Sequence, residues 1–294
     1  MNILNLGSLN IDLVYKVDHF VCEGETLLSG GYDEHIGGKG LNQSVALSRA
    51  GAKVYHAGAI GKSGQTLKDA LEKYGVQTQL LQTLDCPSGH AVIQVLASGK
   101  NCILVYGGAN QKISRGYIDN VLGSFNNGDI LLLQNEISNV AYAIKKAKSK
   151  GLKVVFNPSP ITKSIVDYPL DIVDIFILNE IEAKALTQKD IPAAILDEMS
   201  RLFPKADIVL TLGQDGAMFK NQKESISWGI YKTEVVDTTA AGDTFCGFFI
   251  SAMTKGFLPK ECLKFASAAS ALAISKNGAA ESIPSWKEVK DFLS

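Results

Sequence analysis

Short apolar runs alternate with helical patterns through most of the 294 residues, and few of the runs show a polar face. Ile3–Leu6, Lys53–Ala59, Ile130–Leu133, Lys153–Phe156, Ile172–Leu178 and Ile208–Leu212 are largely β-branched or Leu-rich. A strand without polar alternation has no wet side, which marks a parallel sheet covered on both faces. Between these runs, Gln43–Arg49, Leu67–Tyr74, Val140–Lys150, Glu180–Leu186 and Ala193–Phe203 repeat apolar residues at helical spacing. Gly51, Gly75 and Gly151 follow as helix stops. The alternation predicts an α/β fold: a three-layer α/β/α architecture with a mainly parallel central sheet. A hydrophobic content of 46% is enough for a large core, and no repeat or linker divides residues 1–294, so one domain is expected.

Two stretches break the rhythm. Leu13–Val21 with Leu27–His35, and Ala91–Leu96 with Cys102–Tyr106, pattern as strand pairs, the second joined by the turn Ser98-Gly99-Lys100-Asn101. They add strands without adding helices. A small β-sheet lid, contributed from about residues 13–36 and 90–106, is predicted over the C-terminal edge of the main sheet, where open α/β sheets bind ligands. An added edge on the main sheet is the alternative reading.

Net charge is −1, from 29 basic and 30 acidic residues without strong clustering, which gives no nucleic-acid or acidic-membrane surface. The five cysteines (Cys22, Cys86, Cys102, Cys246 and Cys262) have no metal-type spacing and read as free thiols of a reducing compartment. No segment approaches the roughly 18 apolar residues a membrane helix needs, and no signal-peptide pattern precedes Ile3. The expectation is a soluble, cytoplasmic protein.

The chemistry concentrates in Asp237-Thr238-Thr239-Ala240-Ala241-Gly242-Asp243-Thr244-Phe245. Small residues sit between two aspartates, and the apolar spacing of Phe245, Phe248, Phe249, Ile250 and Met253 starts a helix near Gly242. A helix start built from small residues leaves backbone N–H groups open to a phosphate or a developing anion. Asp243 is poorly placed for plain anion binding, and suits a base that takes a proton from a hydroxyl. The same run also reads as an ordinary capping turn.

Gly37-Gly38-Lys39-Gly40 precedes Leu41-Asn42 and a helix. Glycine permits a close backbone approach, and Lys39 and Asn42 place a charge and an amide beside it. A tight turn with a solvated lysine fits equally. Gly61-Lys62-Ser63 fails as a phosphate-binding P-loop because His56 stands where the leading glycine belongs, and the dinucleotide fingerprint is absent. Thr211-Leu212-Gly213-Gln214-Asp215-Gly216 follows a strand and offers another phosphate loop. Ser8, Asn10 and Asp12 alternate after the first strand, Glu136 follows Ile130–Leu133, and Asn179-Glu180 follows Ile172–Leu178. Polar groups at several strand ends converge on one rim in this architecture. The four histidines show no ligand spacing.

With these residues in view, the chain resembles the ribokinase family of carbohydrate kinases from Gly7-Ser8-Leu9-Asn10-Ile11-Asp12 to its final helix. The likeness rests on Gly-Gly-Lys-Gly-x-Asn at 37–42 and Asp-Thr-Thr-Ala-Ala-Gly-Asp at 237–243, with Gly108-Ala109-Asn110 and Leu133-Gln134-Asn135-Glu136 also similar. The resemblance implies an ATP-dependent sugar kinase acting on the 5-hydroxyl of D-ribose. The alternatives within it are deoxyribose, fructose or a nucleoside, and outside it a sugar sensor that binds without phosphorylating. By resemblance, Asn10, Asp12, Gly38, Lys39, Gly40, Asn42 and Glu136 hold the sugar. Asp243 is the catalytic base, and Ala240, Ala241 and Gly242 supply the anion-hole amides. Asn179, Thr211, Leu212, Gly213, Gln214, Asp215, Gly216, Gly242 and Ser267 contact ATP. Glu182 is linked to Mg2+. Asp237, Thr239, Ala273, Lys276, Gly278 and Ser282 line an activating K+ site, mostly through carbonyls. The lid implies a homodimer. Cys246 and His90 depart from the usual family residues.

Overall fold

Inside the main sheet the parallel strands are largely buried on both faces, as their lack of alternation requires. In the computed structural model, which describes residues 1–294, the parallel part of the main sheet runs in space as β5 (Gln77–Leu84), β4 (Val54–Gly61), β1 (Ile3–Leu6), β8 (Ile130–Gln134), β9 (Lys153–Asn157), β10 (Ile175–Asn179) and β11 (Asp207–Thr211). β12 (Ala217–Lys220) and β13 (Ser225–Trp228) extend it antiparallel to nine strands. Every residue of β1 and β8 is buried, including the polar Asn5 and Gln134.

Helices cover both faces. One layer packs α1 (Lys39–Arg49), α2 (Gln65–Lys73), α7 (Ala241–Thr254), α8 (Pro259–Ile274) and α9 (Trp286–Leu293) on a core that includes Leu41, Phe248 and Leu263. The opposite layer packs α3 (Arg115–Gly123), α4 (Val140–Ser149), α5 (Glu180–Thr187) and α6 (Pro192–Leu202) on Ile118, Ile144 and Leu196. This is the three-layer arrangement that the alternation predicts. Gly51, Gly75 and Gly151 all have φ near 80°, the left-handed geometry of a helix stop.

β2 (Asn10–Lys16), β3 (Gly31–Gly37), β6 (Gly89–Val95) and β7 (Asn101–Tyr106) form a second sheet in the order β3-β2-β6-β7. The lid strands therefore belong to a sheet of their own and not to an added edge. Their limits differ from the sequence expectation. β2 begins at Asn10 rather than Leu13 and ends at Lys16, and β3 begins at Gly31. Because β2 follows β1 after only Gly7–Leu9 and β3 runs straight into α1, both lid ends sit on the C-terminal rim of the main sheet. Gly38 makes that second junction with φ 94°, and a Cβ there would lie 3.0 Å from the Asn10 nitrogen, so only glycine closes the bend without strain.

Candidate active site

β1 is a topological switch point: β4 lies on one side and β8 on the other. Ligands bind outside the strand ends at such a point. The residues that collect there come from both ends of the chain. Ser8 donates its hydroxyl to Glu136 and accepts from the N–H of Gly40 at 3.2 Å, while the Lys39 N–H donates to Glu136 Oε2 at 3.1 Å. The glycine loop is thus tied to the ends of β1 and β8. A tight turn with a solvated lysine would not look like this. The half-buried Lys39 side chain opposes three carboxylates. Burial works against its charge, but Asp243, Glu136 and Glu182 outweigh it and hold the ammonium above its ordinary range.

On the lid side, Asn110 Nδ2 donates to Asn10 Oδ1 at 2.8 Å and Asn110 Oδ1 accepts from the Leu9 N–H at 3.1 Å. That fixes the Asn10 amide and turns its nitrogen outward. Asp12 faces the same region. Burial first, then the field of Glu136, push it up to about 6, against a downward pull from His35. Burial also raises Glu136, although the Ser8 hydroxyl and Lys39 oppose this.

Asp243 is buried at the third position of α7. Its Oδ2 accepts from Asn42 Nδ2 at 3.2 Å and its Oδ1 from Gln43 Nε2 at 2.9 Å. The start of α7 is not an ordinary capping turn. Ala240 occupies the N-cap in the left-handed conformation, φ 58°, and no side chain caps the helix. Losing a cap costs about 1 kcal/mol, and left-handed alanine about 1 kcal/mol more, a combination found where function holds a strained segment in place. The Gly242 N–H has no acceptor in the chain, whereas the Ala241 N–H reaches the Thr238 carbonyl at 3.3 Å. Ser270 steadies the turn by donating to the Ala241 carbonyl at 2.7 Å.

A cavity of about 250 Å³ opens beside this turn, lined by Lys39, Asn157, Asn179, Glu182, Thr211 and the run from Ala240 to Asp243, among others. Of the residues read as nucleotide contacts, Asn179, Thr211 and Gly242 line it. Leu212 is buried, Gly213, Gln214 and Asp215 form an exposed turn closed by Gly216, and Ser267 is buried on α8. Glu182 is spoken for at the start of α5, where it accepts from the Asn179 N–H at 3.0 Å in a capping box.

Asp237 accepts from the Thr239 N–H and hydroxyl at 2.9 and 2.6 Å and from the Gly278 N–H at 3.1 Å. Burial alone would raise this carboxyl, but these donors hold it below its usual range. Ala273 and Ser282 are buried nearby in sequence, with Ser282 donating to the Ala279 carbonyl at 2.9 Å. The Lys276 ammonium lies apart, 3.2 Å from Glu288 on α9.

Sequence reasoning passed over Gln43, Gln134 and Asn157. Gln43 Nε2 touches both Asp243 and Asn157 Oδ1, and Gln134 touches Gln43. The available signal was a glutamine ending the apolar run Ile130–Leu133 and an asparagine ending Lys153–Phe156, both at strand C-termini.

Residues 2–286 match the family model for pfkB family carbohydrate kinases. The chain is 36% identical over 301 aligned residues to a ribokinase of Haemophilus influenzae, covering 98% of this chain and 97% of that protein. It is 32% identical to a ribokinase of Bacillus subtilis, covering 100% and 99%. The solved structure of Arabidopsis thaliana ribokinase complexed with ribose and ATP superposes with a TM-score of 0.89 at 30% identity, covering 99% of this chain and 98% of that one. No helix here is long and apolar enough to cross a membrane. The chain belongs to the pfkB family of carbohydrate kinases.

Proposed function

We propose that this protein transfers the γ-phosphoryl group of ATP to the 5-hydroxyl of D-ribose. The observation that carries the proposal is the buried Asp243 carboxylate, held by two amides at the mouth of an uncapped helix that faces the 250 Å³ cavity. Asp243 takes the proton of the attacking hydroxyl as the phosphoryl group arrives. The amides of Ala240, Ala241 and Gly242 face the charge that develops, and the weak Ala241 contact to Thr238 is readily exchanged for a phosphoryl oxygen. Asn10, Asp12, Gly38, Lys39, Gly40, Asn42 and Glu136 orient the sugar. Asn42 fits this role because its Oδ1 is buried without a partner, a position that a sugar hydroxyl satisfies.

Asn179, the loop from Thr211 to Gly216, Gly242 and Ser267 bind the nucleotide. Glu182 is, with Asp243, one of two buried carboxylates on the cavity wall, which suits Mg2+ that keeps mostly water and phosphate ligands and neutralises phosphate charge when bound. Asp237, Thr239, Ala273, Lys276, Gly278 and Ser282 form the K+ site. One carboxylate held below its usual range, surrounded by backbone, fits a monovalent cation, and no cluster of three or more His, Cys, Asp or Glu side chains offers a divalent cage. K+ bound there would add positive field beside the anion hole. The lid sheet pairs two copies in a homodimer, and the five unpaired cysteines suit a cytoplasmic enzyme.

The test is an ADP-coupled assay with D-ribose, 2-deoxyribose, fructose and nucleosides, with and without K+. Ribose is expected to give the highest kcat/KM. Asp243→Asn is expected to lose about a hundredfold or more in kcat with little change in thermal stability. Near-normal turnover in that variant would remove the base, and ribose binding without ADP formation would leave a sensor.

A further inference from the structure

We propose that Gln43 and Gln134 are positioning residues whose buried amides dictate which way hydrogen-bond donors point at Asp243. The inference rests on Asp243 acting as the base.

An amide side chain can present either its oxygen or its nitrogen to a neighbour, and an isolated pair does not say which. Here the choice is forced from a fixed end. Asn5 Nδ2 lies 2.7 Å from the Gly40 carbonyl oxygen, which can only accept. Asn5 Oδ1 is therefore the acceptor at its other end, and Gln134 Nε2 donates to it at 2.9 Å. The same nitrogen donates to Gln43 Oε1 at 2.6 Å. With its oxygen occupied, Gln43 must turn Nε2 toward Asp243 Oδ1, at 2.9 Å.

A second anchor gives the same answer. Asn157 Nδ2 donates to the Ile177 carbonyl at 2.8 Å, so Asn157 Oδ1 accepts, and its donor is again Gln43 Nε2 at 3.1 Å. Asn5 Nδ2 also donates to Ser44 Oγ at 2.8 Å, and Ser44 Oγ shares a hydrogen bond with His56 Nδ1 at 2.7 Å. The chain of amides thus ends on a neutral imidazole, and burial pushes His56 down to about 3.

Asn5, Gln43 and Gln134 are all buried, so water cannot reset the pattern. Gln134 Oε1 has no partner. Leaving one acceptor unpaired is the lesser cost, since reversing Gln134 would set its oxygen against the oxygens of both Asn5 and Gln43. The amide of Gln43 thereby keeps a donor on the carboxylate and holds it aimed, while neither glutamine touches substrate.

The test compares Gln43→Met, Gln134→Met, the double variant and Asp243→Asn, with thermal unfolding measured for each. Gln43→Met is expected to lower kcat by about tenfold to a hundredfold, from loss of one hydrogen bond to a charged group. KM for ribose and ATP is expected to stay within about threefold, because the pair contributes to the reacting state and not to ground-state binding. Gln134→Met is expected to lower kcat by less. Since Gln134 acts through Gln43, the double variant is expected to be no slower than Gln43→Met alone. Losses that multiply would show independent structural roles and overturn the proposal, as would a kcat within twofold of the parent for Gln43→Met. If Gln43→Met fails to fold, Gln134→Met decides alone, and an unchanged kcat there overturns it. An inactive Asp243→Asn beside a normal Gln43→Met removes only this inference, whereas an active Asp243→Asn removes the base itself.

Discussion

Asp12 carries a titration that reaches stability and, in the proposed function, ribose binding. Burial and Glu136 raise its carboxyl from 3.8 to about 6. Between those values the folded chain holds a proton that the unfolded chain has released, so stability falls as pH rises through the window. Above about pH 6, the ionised Asp12 costs up to about 3 kcal/mol. Asp12→Asn is therefore expected to raise Tm at pH 7.5, with the gain shrinking toward pH 4. The same variant is expected to raise KM for ribose at least about tenfold, the loss of one charge-assisted hydrogen bond. In the parent, KM for ribose is expected to rise as pH falls below about 6, as Asp12 gains a proton. A flat KM across that range would separate Asp12 from sugar binding. Asp12, Lys39 and Asp243 could be singled out in the sequence by their places after the first strand, in a glycine run and at a small-residue helix start, although each place also has an ordinary reading as a turn or cap. Gln43 and Gln134 were not legible, because a buried amide is indistinguishable from a surface one until its neighbours from distant segments are in place.

Helices α1 and α7 act as a pair. At the rim, Asn42 and Gln43 of α1 grip Asp243 of α7. At the far end, Ser251 Oγ and Lys255 Nζ of the α7 region both donate to the Ala50 carbonyl that follows α1, at 2.8 and 2.7 Å. Between these ties the helices touch at Gly247, where a Cβ would lie 2.4 Å from the Ala46 Cβ and 2.8 Å from the Leu47 nitrogen. Gly247→Ala must push the helices apart. It is expected to cost ~1–3 kcal/mol in urea unfolding and to lower kcat more than it changes KM, since the proposed base and its amides ride on opposite helices. Full activity in that variant would show that the pair tolerates a wider spacing. The inner parallel strands could be read from sequence because both faces are dry. β5, a mix of Gln, Thr and Leu without regular alternation at the sheet edge, and the four-residue β12 and β13 were missed, since short or half-wet strands resemble loops. α3 lacks a long apolar stripe, and α8 is rich in alanine and serine, so periodicity marked neither.

At the scale of the molecule, the lid leaves an apolar surface. Ile103, Leu104, Val105 and Tyr106 on the edge strand β7 are 51–72% exposed, and Tyr32 on β3 is 52% exposed. A bare apolar edge invites a partner. Sedimentation is expected to show a dimer for the parent at micromolar concentration and a monomer for Leu104→Lys, with the ribose KM raised in the monomer. A monomeric parent would end the dimer reading. Asp243 and the two amides that hold it lie 201 and 200 positions apart in the chain. During synthesis, the lid, the glycine loop and all of the parallel strands leave the ribosome before Asp243 does. A prematurely stopped chain therefore keeps Asn42 and Gln43 without the carboxylate they bind.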